Sequence, residues 1–486
     1  MLNLDYMKYL FKSKKFLILF IFLAYLVFAI DNYYDYDLIS GLMVSFTVLL
    51  TFVLPCLVFH YIHNKKAIDT YFSIPISRKE LLISGITCII LVIYVPYVIS
   101  TLIIGGFYID TLKVIALMLP IVTMLVIVNT LLYTLANNQF DGIVMIGAYN
   151  LIPVFIYVVS SEFIDSYIVG YSSSAIKGIL YLSPVGTSMY AYESLMEDGV
   201  IATIPAVFGL LFLVASSTIL YRTFLDRKAE RANTTSSKFF AYPFVIYAYT
   251  FICVMGISAN YDSGKLTTFL MDNLVLYLII FILFVVAHFV YMRKFYFSVK
   301  FPIYYIIICI ICISFCNLAY QQDGFGLAYK YPAYDENTTC RFYYYENDSG
   351  EVTKWVRQQT EDNSNYVDVE INAIGALQEN TIKIINDLRK ELIDKTYQYK
   401  NKYEYTDHSL NLTLYHNSNE YEYDYYNYYS VHVVLSVDTL KQLAKDAWID
   451  IRIYTDNGLY TLDADGNLNK TVEYLDPAYA RDILVE

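Results

Sequence analysis

The chain has 486 residues, of which 57% are hydrophobic and only 16% charged, and its formal net charge is -12. A soluble domain normally carries about 25% charged residues, so the composition excludes a chain that is water-soluble along its whole length. The acidic balance also gives no reason to expect a nucleic-acid partner. The imbalance is local: residues 1–320 hold 19 Lys and Arg against 17 Asp and Glu, whereas residues 321–486 hold 15 against 29. A membrane body and an acidic soluble domain therefore join near Tyr320, and the tail is long enough to bury a core of its own.

In chain order, Leu4, Met7, Leu10 and Phe11 come first, at helical spacing with Lys8 and Lys12 between them. That is the pattern of a short amphipathic helix lying along the inner membrane surface. Nine apolar stretches follow, near the 20 or so residues that a bilayer core requires: Phe16–Ile30, Ile39–Ile62, Leu82–Tyr108, Val114–Ala136, Ile143–Ser160, Ile201–Tyr221, Phe239–Ala259, Asn273–Tyr291 and Phe301–Tyr320. The first is short and follows four lysines, as a signal peptide would. Asp31-Asn32-Tyr33-Tyr34 comes after it in place of a small-residue cleavage site, so it reads as a helix. Five stretches contain a proline (Pro55, Pro96, Pro120, Pro153, Pro205), which kinks a helix or leaves carbonyls for neighbours to satisfy.

Charge is almost absent from these stretches; Asp141 and Asp272 sit at their edges. A proton or ion relay needs intramembrane carboxylates or paired charges, so His60 and His288 read as hydrogen-bonded packing residues. Six of the seven cysteines lie in apolar stretches and read as small hydrophobes. Cys309, Cys312 and Cys316 share a helix face without a histidine or carboxylate beside them, a poor metal donor set. Cys340 stands alone in the soluble part, which excludes an internal disulfide there. No metal and no cofactor is expected.

Cytoplasmic loops are enriched in Lys and Arg. With the N-terminus inside, the inner loops collect 16 of the 19 basic residues of the membrane body, leaving only Lys113, Lys177 and Lys265 outside. Nine spans then put the acidic domain on the extracellular side of the cell membrane.

Beyond Gln321 the periodicity changes. Tyr366–Ile371 and Leu410–Tyr415 alternate apolar and polar residues as half-buried strands do, and Tyr429–Leu435 reads as another strand. Ile449–Tyr454 and Leu459–Leu462 flank Asp456-Asn457-Gly458, a hairpin signal. Ile374, Leu377, Ile384, Ile385, Leu388 and Leu392 mark a long amphipathic helix, and Asp438 is read as the cap of a shorter one. The fold class is thus an all-α polytopic membrane protein with a C-terminal α+β domain. Asp463-Ala-Asp-Gly-Asn467 resembles the start of a calcium loop, but Gly466 is fourth where an EF-hand wants it sixth, so it reads as a turn. The tyrosine runs Tyr343–Tyr345 and Tyr421–Tyr429 read equally as a recognition surface or as ordinary strand residues. The acidic balance favours cationic ligands such as basic peptides, and would equally serve solubility.

The chemistry of an enzyme is missing. There is no P-loop, no HExxH, no GxSxG and no intramembrane acid pair, so any transport must be passive or driven by a partner. The loop between the second and third stretches, Asp69-Thr-Tyr-Phe-Ser-Ile-Pro-Ile-Ser-Arg-Lys-Glu80, stands out. Pro75 ends one short helix, Ser77 caps the next, and Glu80 three residues later completes a capping box. This arrangement leaves Arg78 and Lys79 on an exposed face.

That segment resembles the cytoplasmic loop of ABC-2-type exporter permeases, in which an acidic residue and an S-x-P-x-S/T-R turn precede the third span. The resemblance covers residues 1–222: interfacial helix, six spans, and a long outer segment Ser161–Val200 containing Tyr181-Leu-Ser-Pro-Val-Gly186. It implies that Asp69, Ser73, Pro75, Ser77, Arg78, Lys79 and Glu80 dock a separate ABC ATP-binding subunit. It further implies that two permease subunits face one another, and that the region of Tyr181, Ser183 and Pro184 forms short re-entrant helices as an outer gate. Residues 223–320, with three more spans, and the extracellular domain 321–486 depart from the minimal pattern and resemble larger Gram-positive permeases for peptides or antibiotics. The competing reading is a surface sensor whose outer domain binds a ligand and signals to a cytoplasmic partner.

Overall fold

The computed structural model describes residues 2–473 apart from 32–35, 169–172, 233, 235–241, 262–265, 296, 331–337, 349, 361–363, 374–376, 400–407, 417–421 and 426–433. Thirteen helices account for the first part: α1 (Leu4–Ser13), α2 (Lys15–Asp31), α3 (Tyr36–Val58), α4 (Lys65–Ser73), α5 (Arg78–Gly105), α6 (Ile109–Leu135), α7 (Gln139–Tyr167), α8 (Pro184–Asp198), α9 (Thr203–Leu225), α10 (Tyr242–Ala259), α11 (Leu266–Asp272), α12 (Leu274–Met292) and α13 (Lys300–Gln321). Then come α14 (Leu327–Lys330), β1 (Thr338–Asn347), α15 (Glu351–Thr360), β2 (Tyr366–Ala373), α16 (Glu379–Tyr399), β3 (His408–His416), β4 (Glu422–Tyr425), α17 (Val437–Leu443), β5 (Ile449–Thr455), β6 (Gly458–Leu462) and β7 (Leu468–Glu473).

Eight of these helices are long and apolar enough to cross a bilayer, and the bent pair α1–α2 raises the number to nine. Large apolar side chains stay exposed along them, such as Leu210, Leu211 and Val214 on α9 and Ile279, Ile282 and Leu283 on α12. Contiguous apolar surface of this extent is not left in water, and helices satisfy their own backbone groups in lipid. The chain is a multi-pass membrane protein. Four prolines, at 55, 96, 120 and 153, lie inside helices. Pro205 does not: it occupies the first turn of α9, where no intrahelical N–H bond is lost.

The chain divides into two compact units. The first is Met1–Val158, Lys177–Val254 and Tyr277–Ile308. Its α1 and α2 meet at a 74° bend. Tyr6, Met7 and Leu10 of α1 are buried while Leu4 is exposed, so the inward stripe runs through Tyr6 rather than Leu4. The N–H of Asn3, the N-cap of α1, donates to Ser84 Oγ on α5 at 2.8 Å, which ties the interfacial helix to a span. Within lipid, helices gain little hydrophobic drive against one another and hold by close packing and polar ties. Such a tie threads α3, α6, α7 and α8. Asn129 donates to the Thr51 carbonyl, Asn150 donates to Asn129 Oδ1 at 2.8 Å, and the Ser183 hydroxyl donates to the Asn150 carbonyl at 2.9 Å. His288 is buried with Nδ1 on the Phe284 carbonyl, whereas His60 is exposed with Nδ1 3.1 Å from the Leu57 carbonyl.

The second unit comprises Val159–Ile176, Met255–Leu276 and Cys309–Glu486. It is built on a seven-stranded antiparallel sheet in the order β4-β3-β1-β2-β5-β6-β7. Side chains alternate between the two faces of a strand. Phe342, Tyr344, Val367, Val369, Ile371, Ile451 and Ile453 are buried on one face, with Val352 and Val356 of α15 and Leu440 and Leu443 of α17 also in the core. On that face Glu346 is fully buried. Its carboxylate accepts from the Tyr344 hydroxyl at 2.8 Å and from the Thr353 N–H in the first turn of α15 at 2.9 Å, where the helix dipole favours an anion. Gly350 admits this approach, since a Cβ there would collide with the Glu346 side chain.

The hairpin β5–β6 and the turn at 463–467 lie where the sequence places them, with Asp463 Oδ1 accepting from the Asn467 N–H. The long helix begins at Glu379, later than its apolar pattern. Asp438 is not the cap of α17. Ser436 is, its hydroxyl accepting from the Thr439 N–H. Of the expected strand Tyr429–Leu435, residues 429–433 lie outside the described residues, and Val434 and Leu435 are not in a strand.

Candidate functional site

The basic loop singled out in the sequence forms an elbow within the first unit. Asn64 caps α4, its side-chain oxygen accepting from the N–H groups of Lys66 and Ala67. The helix turns one side inward: Ile68 is buried, and the Tyr71 ring stacks on Tyr61 with centroids 4.1 Å apart. Its other side presents Lys65, Lys66, Asp69, Thr70 and Ser73, all exposed. Pro75 ends the segment, and Ser77 and Glu80 form the expected capping box at the start of α5. Ser77 Oγ accepts from the Glu80 N–H at 3.2 Å, and the Glu80 carboxylate accepts from the Ser77 N–H at 3.1 Å. Pro75, Ser77 and Lys79 are exposed, so the outward surface continues around the elbow.

Arg78 departs from the expected picture. It is half-buried rather than free on the exposed face. Its guanidinium donates to the carbonyls of Leu225 at 2.8 Å and Arg227 at 3.0 Å, and lies over the Phe72 ring at 4.1 Å. Those carbonyls are the unsatisfied end of α9, and a cation there also meets the negative pole of the helix. Lys79, by contrast, is exposed, its ammonium 5.8 Å from the Tyr221 ring centroid.

Arg227, just past α9, repeats the device one helix further on. It is buried, and it donates to the carbonyls of Thr134, Ala136 and Ile62. Two of these close the C-terminal end of α6 and one belongs to the turn before α4. Burial lowers its pKa to about 10, so it remains a cation at neutral pH. The same cation stands 3.5 Å from Nδ1 of His63. Burial first, and the Arg227 charge second, push His63 down to about 3, which leaves a neutral imidazole beside the guanidinium. Gly85 of α5 and Gly142 of α7 line this region for steric reasons. A Cβ at Gly85 would lie 2.7 Å from the buried Phe59 ring, and one at Gly142 would lie 2.6 Å from the Tyr133 ring.

The elbow is therefore an exposed surface with a rigid base. Its sequence-predicted residues divide into three: Asp69, Ser73, Pro75, Ser77 and Lys79 face outward, Arg78 joins α5 to α9, and the half-buried Glu80 closes the capping box. No family model, curated protein or solved structure matches this chain. Sequence reasoning missed the part played by Arg227, Tyr61 and His63. Arg227 looks like any basic residue of an inner loop, and no local pattern separates it from Lys228 or Arg231.

The other expected region, around Tyr181, Ser183 and Pro184, lies at the start of α8 in the first unit. Ser183 is buried and caps α8, with Pro184 at the first helical position, a preferred site for proline. The Tyr181 ring stacks on Phe208 with centroids 6.0 Å apart and meets Tyr190 edge-on. A short 3-10 segment, Ser173–Leu182, precedes α8. Among the described residues no group of three or more His, Cys, Asp or Glu is placed to hold a metal ion.

Proposed function

We propose that this chain is the permease subunit of an ATP-driven exporter of the ABC-2 type. The supporting observation is the elbow: an outward surface around Asp69, Pro75 and Lys79 whose base is tied by Arg78 to α9. Arg227 in turn ties the end of α9 to α6. A push on α4 from a partner ATPase would reach three spans without loss in a flexible loop. ATP hydrolysis belongs to that partner, and the chain itself is not an enzyme in this reading. The distribution of basic residues supports an N-terminus and elbow on the cytoplasmic side, with residues 321–486 outside the cell. A second permease subunit and the surrounding lipid complete the assembly, and Tyr181, Ser183 and Pro184 belong to an outer gate.

The test is purification of the chain from native membranes in a mild uncharged detergent, with mass spectrometry of what accompanies it. A stoichiometric ATP-binding-cassette subunit that disappears with Asp69→Arg is the expected result. Recovery of a sensor kinase, or of no ATPase, would overturn the proposal in favour of the sensor reading.

A further inference from the structure

In the sheet of the second unit, among the described residues, α15 and α17 pack against one face. Its other face carries Arg341, Tyr343 and Tyr345 of β1, Tyr366, Asp368 and Glu370 of the central strand β2, and Arg452 and Tyr454 of β5. The register places Tyr345 opposite Asp368 on one side and Tyr454 opposite it on the other. Directly opposed residues on one sheet face stand about 4.5–5.5 Å apart at Cβ. Asp368 is thus a carboxylate set between two tyrosines, with Tyr366 next along the same face and stacked against Tyr345 at a centroid distance of 6.1 Å.

The neighbouring carboxylates are engaged. Glu370 accepts from the Tyr454 hydroxyl at 2.9 Å and the Asn372 amide at 3.0 Å, with Arg341 3.7 Å away, and Asp450 pairs with Arg452 at 2.8 Å. Among the described residues, no hydrogen bond or ion pair reaches Asp368. An anion that is half-buried and unpaired costs stability, and a cation from outside would remove that cost. Tyrosine rings attract organic cations through their faces, so the flanking residues suit an ammonium or guanidinium group better than a hydrated metal ion.

We propose that Asp368, with Tyr345, Tyr366 and Tyr454, is a recognition site for the side-chain cation of a basic peptide lying across this face of the sheet. Charge complementarity argues for this occupant, since residues 321–486 hold 29 acidic against 15 basic residues. Shape selects a peptide over a small ammonium ion. Small ligands are held in concavities, whereas on this face Tyr343 and Tyr345 stay 41% and 40% exposed. The inference stands apart from the permease reading, because it requires no ATPase and no assignment of sidedness.

The experiment is fluorescence anisotropy of labelled tetralysine titrated with the full-length chain in an uncharged detergent, at two salt concentrations. Tetramethylammonium serves as competitor. Asp368→Asn is expected to weaken binding about tenfold or more, and Tyr345→Ala, at an exposed position, about threefold. Asp450→Asn, which removes an equal charge from the same face, is expected to change it less than about twofold. Thermal melts of each variant separate lost binding from lost fold. Equal weakening by Asp368→Asn and Asp450→Asn would mean diffuse attraction and overturn the proposal. So would an absence of tetralysine binding, or displacement of the peptide by tetramethylammonium at equal concentration.

Discussion

Arg78 donates from its guanidinium to the main-chain carbonyl of Arg227, 149 positions further along the chain, at 3.0 Å. Arg227 in turn donates to the carbonyl of Ala136 at 3.0 Å. Each arginine closes the C-terminal end of a helix that is not its own, and the pair forms a relay from α5 to α9 to α6. A helix end away from water leaves carbonyls that must find donors, and an arginine fork serves two or three of them at once.

Arg227→Met should therefore destabilise the membrane body. It strips charged donors from three buried carbonyls, a loss of about 2–4 kcal/mol. Arg227→Lys should recover less than half of this, because a single ammonium cannot span all three acceptors. The exposed Lys228→Met should stay within about 0.5 kcal/mol of the parent. Thermal unfolding in detergent micelles ranks the three.

The elbow offers a separation of roles. Asp69→Arg changes an exposed side chain and should leave the melting temperature within a degree or two while abolishing capture of an ATP-binding subunit. Arg78→Ala should lower stability by about 1–3 kcal/mol, through the two carbonyls it leaves unpaired. If Asp69→Arg melts early and Arg78→Ala does not, the division into outward surface and rigid base is wrong.

At Gly85 the prediction is steric. A methyl group there collides with the Phe59 ring, which is fully buried. Gly85→Ala should cost about 1–3 kcal/mol by overpacking. Phe59→Leu, destabilising alone through the cavity it leaves, should couple favourably with Gly85→Ala, so that the double variant is more stable than the sum of the singles. Additive behaviour in that cycle would show that the two sites do not share space.

Asp368 gives a pH signature. Burial raises its pKa from an ordinary 3.8 to about 6, while the groups facing it are Tyr345 on β1, Tyr454 on β5, and Tyr366 and Glu370 on its own strand. A carboxyl whose folded pKa is raised takes up its proton more readily in the folded state. Its favourable contribution is thus complete below about pH 4 and is lost as the pH rises through about 6. Asp368→Asn should raise the melting temperature of the peptide-free chain at pH 7.5, and the gain should vanish near pH 4. A gain independent of pH would assign the effect to packing rather than charge.

Much of this architecture is written locally. The apolar runs predict the spans because a bilayer imposes a length on every helix. Ser77 and Glu80 predict their own capping box because both partners lie within one turn. Asp456-Asn457-Gly458 fixes a hairpin through its backbone conformation alone. The strand β1 escapes such a reading because tyrosine serves both faces: Tyr344 is buried while Tyr343 and Tyr345 are exposed, so the period of two is hidden. In the same way Ser436 and Asp438 are both good caps, and only the bend of the chain into α17 selects Ser436.

By itself, then, the sequence determined a membrane body of about nine spans, a basic elbow with a capped helix start, and an acidic α+β domain. Each of these follows from periodicity, length or neighbours a few residues apart. Tertiary structure alone decided which basic residues are buried, that Arg78 and Arg227 close the ends of other helices, and that Asp368 stands between Tyr345 and Tyr454 with no partner among the described residues. Those choices depend on which elements meet across tens or hundreds of residues. Such meetings are set by the summed packing of whole helices and strands, a sum that no short stretch of sequence contains.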